Sequence, residues 1–150
     1  LAGKRDGRTY RVYTVMGDGE LAEGSIWEAA MAASQYQLDN LCAAVDRNRL
    51  QISGGTEEVM HQDDVAARFE SFGWNVINVD GSDTRALMAA YDAAEVCKGK
   101  PTLIVSNTVK GRGSPVMENK ASWHHHVPTP AEYEKIRRDI EQRLEAMEHE

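Results

Sequence analysis

Four short apolar segments, separated by helical patterns, dominate the distribution of hydrophobic and polar positions along the chain. Three of them are apolar for most of their length and do not alternate, which is typical of strands buried in a parallel sheet. The predicted strands span residues 9–16, 41–45, 75–79 and 101–106. Because strands and helices alternate, we expect an α/β fold in which helices flank a parallel sheet, with right-handed crossovers.

Helical patterns and one long loop connect and follow these strands. The helical patterns occupy residues 25–36, 64–72 and 84–98. Residues 111–130, which begin and end with glycine or proline, are predicted to form a long loop, and such loops are usually functional or disordered. A charged helix is expected over residues 131–148, with one apolar stripe formed by Tyr133, Ile136, Ile140, Leu144 and Met147. This stripe either packs on its own domain or binds a partner.

Composition and charge narrow the class of protein. With 150 residues, of which 41% are hydrophobic and 27% charged, the chain is long enough for one domain with a hydrophobic core. No apolar run approaches the roughly 20 residues that span a bilayer, so no membrane contact is expected. The net charge of −7 argues against nucleic acid as a partner. Cys42 and Cys97 lie in apolar stretches, which favours free thiols and a cytoplasmic location.

The first predicted strand ends in Gly17, Asp18 and Gly19, and a helical pattern follows. In open α/β sheets, ligands bind at the carboxyl ends of strands, and glycines there let the backbone approach a phosphate. Taken alone this motif is weak evidence, because Asp18 could cap a helix and the glycines could form a turn.

A second polar position follows the next strand. Asn48 stands 30 positions after Asp18, just beyond the strand that ends at Val45. Because neighbouring parallel strands end at the same edge of a sheet, we expect Asp18 and Asn48 to lie close together. Carboxylate and amide oxygens suit Mg²⁺, which takes its remaining ligands from water and substrate phosphates. A cation would also offset the repulsion between an acidic protein and a bound diphosphate.

The Gly-Asp-Gly motif followed by this asparagine resembles the thiamine diphosphate fingerprint. The surrounding sequence resembles transketolases over nearly the whole chain, in residues 17–29, 38–41, 79–81, 108–113, 122–124 and 127–134. The resemblance implies a thiamine diphosphate-binding fold of the kind that holds the diphosphate, incomplete at its N-terminus. It also implies that residues 1–150 are the C-terminal portion of this domain.

The resemblance also implies roles for particular residues. Asp18 and Asn48 would bind Mg²⁺, or Ca²⁺ or Mn²⁺ in its place, through their side chains, and Leu50 through its carbonyl. Gly17 and Gly19 would approach the diphosphate. The remaining implied residues are Ile52 against the thiazolium ring, His124 as a catalytic residue that reaches the diphosphate and substrate, and Glu23 among the cofactor-binding residues.

Several of these positions have simpler interpretations. Glu23 and Glu28 match carboxylates that link two cofactor sites across an interface in transketolases, but Glu28 could instead form a capping box with Ser25. His124 is followed by His125 and His126 where the family usually has glycine after the histidine, and consecutive side chains point in different directions, which argues against a three-histidine metal site. Lys110 and Arg112 could contact a phosphate or be solvated loop cations.

The implied function is that of a subunit of a transketolase of carbohydrate metabolism, such as pentose phosphate metabolism. It would transfer a two-carbon ketol unit from a ketose phosphate to an aldose phosphate. The pyrimidine-binding domain would lie on another chain, in a heterotetramer. Alternatives are an enzyme like 1-deoxyxylulose-5-phosphate synthase, one like the E1 component of a 2-oxo acid dehydrogenase, and a non-catalytic degenerate module. A phospho-acceptor receiver domain fits poorly, because Asp80 ends a strand without the acidic pair that such domains need.

Overall fold

The computed structural model describes residues 1–62 and 64–148, so residues 63, 149 and 150 of the predicted domain lie outside the described part. The strands are β1 (Val12–Gly17), β2 (Leu41–Arg47), β3 (Leu50–Gln51), β4 (Gly54–Gly55), β5 (Asn75–Asp80) and β6 (Thr102–Asn107). The α-helices are α1 (Ala2–Arg5), α2 (Gly24–Gln35), α3 (Thr56–Val59), α4 (Val65–Ser71), α5 (Thr84–Val96) and α6 (Pro130–Glu148). Two 3₁₀ helices span Asp18–Ala22 and Ala121–His124.

Four of the strands form one parallel sheet in the order β1-β2-β6-β5, which confirms the predicted α/β class. Gly17 at the end of β1 lies beside Asp46 of β2, and Asp46 lies beside Ser106 of β6. In the last strand of this order, Asp80 at the end of β5 lies beside Asn107 of β6. All four strands therefore end at the same edge of the sheet, where polar residues from separate parts of the chain meet.

Helices cover both faces of the sheet, which explains why the central strands are apolar without alternation. Ala43 and Val45 of β2 contribute to a core with Phe69 of α4. Cys42 and Ala44, which point to the opposite face, pack in a second core with α5. Both cysteines are free in the structure.

The first core is built around aromatic rings. The ring of Phe69 lies 5.2 Å from that of Trp74 and 5.3 Å from that of Trp27, centroid to centroid. The indole N–H of Trp74, the residue before β5, donates to the carbonyl of Ala30 at 3.0 Å, so a buried polar group is satisfied and α2 is joined to the turn between α4 and β5. This contact fixes the position of α2, whose amino end follows the Gly-Asp-Gly turn.

The boundaries and burial of β1 differ from the prediction. The strand begins at Val12 and not at residue 9, because its ladder with β2 begins where Val12 lies beside Leu41. It forms an edge of the described sheet, and Tyr13 and Val15 are 54% and 73% exposed. The expectation that three of the four strands are buried is confirmed for two of them, β2 and β6, whereas β1 and β5 lie at the two sides of the described sheet and their residues are intermediate or exposed.

The long segment before α6 is a loop with local order. It includes the 3₁₀ helix at Ala121–His124, and the hydroxyl of Ser114 donates to the carboxylate of Asp139 on α6. Of the predicted apolar stripe on α6, Ile136 is buried at 8% exposure. The other four positions of the stripe are 40–72% exposed, so packing within the domain covers only part of it. None of the described helices combines the length and apolar character that crossing a membrane requires.

Candidate functional site

Asp18 and Asn48 lie at the edge of the sheet where the strands end, and both line one cavity of about 470 Å³. Asp18 is the first residue of the 3₁₀ helix that follows β1, and Asn48 comes directly after β2. The two residues are 1% and 8% exposed. Two polar side chains far apart in sequence are thus buried at one opening, as the strand order led us to expect.

The turn around Asp18 differs from a simple helix cap. Gly17 occupies the N-cap position, and its N–H donates to the carboxylate of Glu20 at 3.2 Å. The Oδ1 atom of Asp18 accepts from the N–H of Gly19 at 2.9 Å, and Oδ2 accepts from the N–H of Arg49 at 2.5 Å. The interpretation of Asp18 as the N-cap residue is therefore wrong, because its carboxylate joins the ends of two strands.

The side chain of Asn48 is held in a fixed orientation. Its Oδ1 atom accepts from the N–H of Leu50 at 3.0 Å, and its Nδ2 group donates to Asp46 at 3.0 Å. The second oxygen of Asp46 accepts from the hydroxyl of Thr108. Arg49 adopts the left-handed backbone conformation, with φ of 67°. This turn allows Leu50 to begin β3 at the rim of the cavity.

A cation and an imidazole line the same cavity from the loop after β6. They are Lys110 and His124, and Ile52 and Ser53 contribute to the lining from the β3–β4 hairpin. Loss of hydration at the cavity wall, and then electrostatic interaction with Lys110 and His125, lower the pKa of His124 below its ordinary value of 6.5, although the residue is exposed. The lowered pKa favours the neutral ring, which can both accept and donate a hydrogen bond.

The two carboxylates predicted to lie at an interface are not part of this cavity. Glu23 is the N-cap residue of α2 and is exposed, and Glu28 is exposed on the same helix. Among the described residues that line the cavity, Glu23 does not appear, so its predicted cofactor contact has no support from the geometry of this chain. The capping box of Ser25 with Glu28 is wrong, because α2 begins at Gly24 with no side-chain cap bond.

The three consecutive histidines do not form a metal site. The rings of His124 and His125 meet edge to face, with centroids 4.9 Å apart, and His126 contacts the carboxylate of Glu132 at 3.0 Å. In residues 1–62 and 64–148, no group of three or more His, Cys, Asp or Glu side chains is arranged to hold a metal ion. Any cation at the cavity would therefore depend on mixed oxygen donors and on a ligand.

Sequence reasoning missed two residues and left a third open. Asp46 orients Asn48, and a carboxylate two residues before Asn48 at a strand end was a signal for it. Arg47 donates to Asp18 at 3.1 Å from a buried position that nothing in the sequence pattern indicated. Lys110, which the sequence left open as a phosphate ligand or a solvated cation, lines the cavity. Arg112 is exposed and lies outside that lining.

Comparison with known families identifies the family of this chain. A family model described as the thiamine diphosphate binding domain of transketolase matches residues 4–143. The chain belongs to the transketolase family. The resemblance found in the sequence is thereby confirmed, as is the assignment to a thiamine diphosphate-binding domain.

Curated transketolase relatives include proteins named as subunits of larger enzymes. One such subunit, from the apulose-4-phosphate transketolase of Phocaeicola vulgatus, is 47% identical over 150 residues, which are 100% of this chain and 53% of that protein. The 6-deoxy-6-sulfo-D-fructose transketolase subunit SqwG of Clostridium sp. is 40% identical over 125 residues, 83% of this chain and 46% of that protein. This transketolase chain thus spans about half the length of these relatives.

Solved transketolase structures share the fold. The crystal structure of transketolase from Campylobacter jejuni matches with a TM-score of 0.79 and 30% identity, over 90% of this chain and 21% of that one. A transketolase from Pichia stipitis, solved as a mutant, matches with a TM-score of 0.69 and 30% identity, over 95% of this chain and 24% of that one.

Proposed function

We propose that this chain binds the diphosphate and the divalent cation of thiamine diphosphate in a transketolase. The enzyme transfers a two-carbon ketol unit from a ketose phosphate to an aldose phosphate. One observation carries the proposal: Asp18 and Asn48, from two neighbouring strand ends, line one cavity together with Lys110 and His124. A cavity lined by an oxygen-donor pair and by a positively charged side chain suits a ligand that is itself a metal–diphosphate complex.

The residues at the cavity fit such a ligand in three respects. In the described part of the chain, the Oδ1 atom of Asp18 accepts from a single donor, the N–H of Gly19, so lone pairs remain for a cation. A Cβ atom built on Gly17 would meet no atom within 4 Å, which leaves open space beside the backbone. The Oε1 atom of Gln51 is buried without a hydrogen-bond partner among the described residues. Because this amide oxygen is an acceptor, a bound cation or a water molecule held by that cation would satisfy it.

The cation would take its protein ligands from Asp18, Asn48 and the carbonyl of Leu50. Magnesium prefers six oxygen ligands and keeps water or phosphate oxygens in several positions, so three protein donors are sufficient. Calcium or manganese could substitute because the donors are hard oxygens. The cation would also offset the unfavourable approach of a diphosphate to a protein of net charge −7.

The residues of this chain would bind and orient the cofactor, and His124 would exchange protons or hydrogen bonds with the substrate. Thiamine diphosphate supplies the carbanion stabilisation for ketol transfer when it is bound. Lys110 provides a positive charge for the diphosphate or for a substrate phosphate. His124, with its lowered pKa, can donate a hydrogen bond to an oxygen of the substrate or accept a proton from it. Ile52, 63% exposed, would pack against the thiazolium ring.

The active site would be completed by a second chain that carries the pyrimidine-binding domain, in a heterotetramer with two copies of each chain. Two relatives are themselves named as lettered subunits of apulose-4-phosphate transketolases, which implies a further polypeptide in those enzymes. Glu23 and Glu28 are exposed on or beside α2, as residues of an intersubunit interface must be before assembly.

The relatives suggest the first substrates to test. Those that match carry names for apulose 4-phosphate and for 6-deoxy-6-sulfo-D-fructose, both ketoses. The experiment measures ketol transfer by the complete protein, with and without a candidate partner chain, using these donors and ordinary ketose phosphates. Pyruvate consumption is measured in parallel.

Ketol transfer that needs the partner chain, Mg²⁺ and thiamine diphosphate supports the proposal. Consumption of pyruvate without ketol transfer would favour the synthase-like or dehydrogenase-like alternative, and failure of Mg²⁺ to promote cofactor binding would favour a degenerate module.

A further inference from the structure

The last residue of β2 is an arginine with an unusual environment. Arg47 is 5% exposed, although a buried charge is costly unless it is paired. Its guanidinium donates to Oδ2 of Asp18 at 3.1 Å, to the hydroxyl of Thr56 at 3.0 Å and to the carboxylate of Glu57 at 2.6 Å. Thr56 and the side chain of Asp18 are also buried, at 0% and 1% exposure. The arginine is thus held between two carboxylates and a hydroxyl.

This arrangement determines which oxygen of Asp18 remains available. Oδ2 accepts from both Arg47 and the N–H of Arg49, whereas the one donor to Oδ1 among the described residues is the neighbouring N–H of Gly19. A guanidinium has a rigid planar set of donors, so it restricts the rotation of the carboxylate more than a flexible ammonium would. The side chain of Asp18 is therefore held with one oxygen committed to the protein and the other left for a ligand.

The same arginine connects Asp18 to the segment beyond the β3–β4 hairpin. Thr56 begins α3, and its N–H donates to the carbonyl of Arg49 at 3.0 Å. Glu57 also accepts from the N–H of Gln62 at 3.1 Å. The hairpin between these contacts provides Leu50 and Ile52 to the cavity lining. Through these contacts, Arg47 links the conformation of the β3–β4 hairpin, which forms the rim of the cavity, to the orientation of the Asp18 side chain.

We propose that Arg47 is a positioning residue for the divalent cation, because it presents one oxygen of Asp18 to the cavity and anchors the β3–β4 rim. The inference rests on the proposed function, since it presumes that Asp18 binds the cation. Electrostatic repulsion alone predicts the opposite effect on Mg²⁺ affinity. A guanidinium close to a cation site repels the cation, so removal of Arg47 would tighten Mg²⁺ binding if repulsion were its main effect. Positioning predicts weaker binding when the arginine is removed.

The test is Mg²⁺ affinity in the complete protein with Arg47→Met and Arg47→Lys. Thiamine diphosphate binding is titrated at a series of Mg²⁺ concentrations by intrinsic tryptophan fluorescence, and thermal unfolding without ligands is recorded for each variant. We expect Arg47→Met to weaken Mg²⁺ affinity about 10- to 100-fold, the usual effect of losing a residue that orients a metal ligand. Arg47→Lys retains the positive charge and a single donor nitrogen but not the planar fork, so its Mg²⁺ affinity should fall between those of Arg47→Met and the unaltered protein.

Arg11→Met is the matched control. Arg11 donates to the carbonyls of Asp39 and Ala94 at 3.1 and 3.0 Å, away from the cavity, so its loss should lower thermal stability without changing Mg²⁺ affinity. Mg²⁺ affinity that is unchanged or tighter in folded Arg47→Met would overturn the inference while cofactor binding by the unaltered protein upholds the proposed function. If Arg47→Met does not fold, an unchanged affinity in Arg47→Lys overturns it. If the unaltered protein shows no Mg²⁺-dependent binding either alone or with a candidate partner chain, the proposed function fails and the inference with it.

Discussion

Replacing Asp18 with asparagine should weaken both the fold and the site. The carboxylate is 1% exposed and accepts hydrogen bonds from Arg47, Arg49 and Gly19. An amide offers one oxygen and turns two donor hydrogens toward these donors. Removing one partner of a buried ion pair costs about 3–5 kcal/mol. Because Arg47 keeps Glu57 as a second partner, we expect the lower end of that range.

A loss of about 3 kcal/mol corresponds to a fall in Tm of about 6–12 °C for a chain of this size. The assay is thermal unfolding of the complete protein by circular dichroism, without cofactor, followed by Mg²⁺-dependent thiamine diphosphate binding at a temperature where Asp18→Asn is folded. Asp92→Asn, at an exposed position on α5, is the matched control and should leave both properties unchanged. An unchanged Tm would refute the buried ion pair. A lower Tm with undiminished Mg²⁺-dependent binding would show that Asp18 stabilises the fold and does not bind the cation.

Three further predictions concern the histidine at the cavity, the core and the final helix. Lys110→Met should raise the pKa of His124 by removing a neighbouring positive charge, as followed by NMR titration of the imidazole; a fall would contradict this assignment. Phe69→Ala should lower the free energy of unfolding by about 3–5 kcal/mol in urea titrations, and a loss below about 1 kcal/mol would contradict the packing of this buried ring. The pKa of Glu132 is lowered to about 2, first by its hydrogen bond with His126, from an ordinary value of 4.5. The ionised Glu132 carboxylate therefore stabilises the start of α6 fully above pH 4.5, and this stabilisation is lost as the pH falls toward 2. Hydrogen exchange of the first amides of α6 should rise between pH 4.5 and pH 2 in the unaltered protein, and the same rise should be absent in Glu132→Gln.

The sheet was predictable from sequence because its central strands are buried on both faces. In β2, both Val45 and Ala44 must be apolar, since they contact different helices. That run of apolar residues is visible without any knowledge of the partners. The start of β1 was not predictable to the residue, because a strand begins where its neighbour begins to pair. The sequence around Thr9 carries no signal for the position of Leu41.

The site was predictable where it depends on the ends of strands. Asp18 and Asn48 lie two and three residues beyond the apolar runs that end at Met16 and Val45, and strand register then brings them to one cavity. The role of Arg47 could not be found in this way, because its partners Thr56 and Glu57 belong to the short helix α3, which has no periodic pattern. A buried arginine and a solvated one have the same sequence signature. Only the three-dimensional contacts distinguish them.

The central claim is that Asp18 and Asn48 bind one divalent cation together with the diphosphate. The most direct measurement is anomalous diffraction from crystals of the complete protein grown with thiamine diphosphate and Mn²⁺ in place of Mg²⁺. We expect one anomalous peak within coordination distance of the Asp18 carboxylate, the Asn48 carboxamide oxygen and the Leu50 carbonyl, next to the diphosphate. A bound cofactor with the cation at other residues, or with no cation between these three groups, would contradict the account.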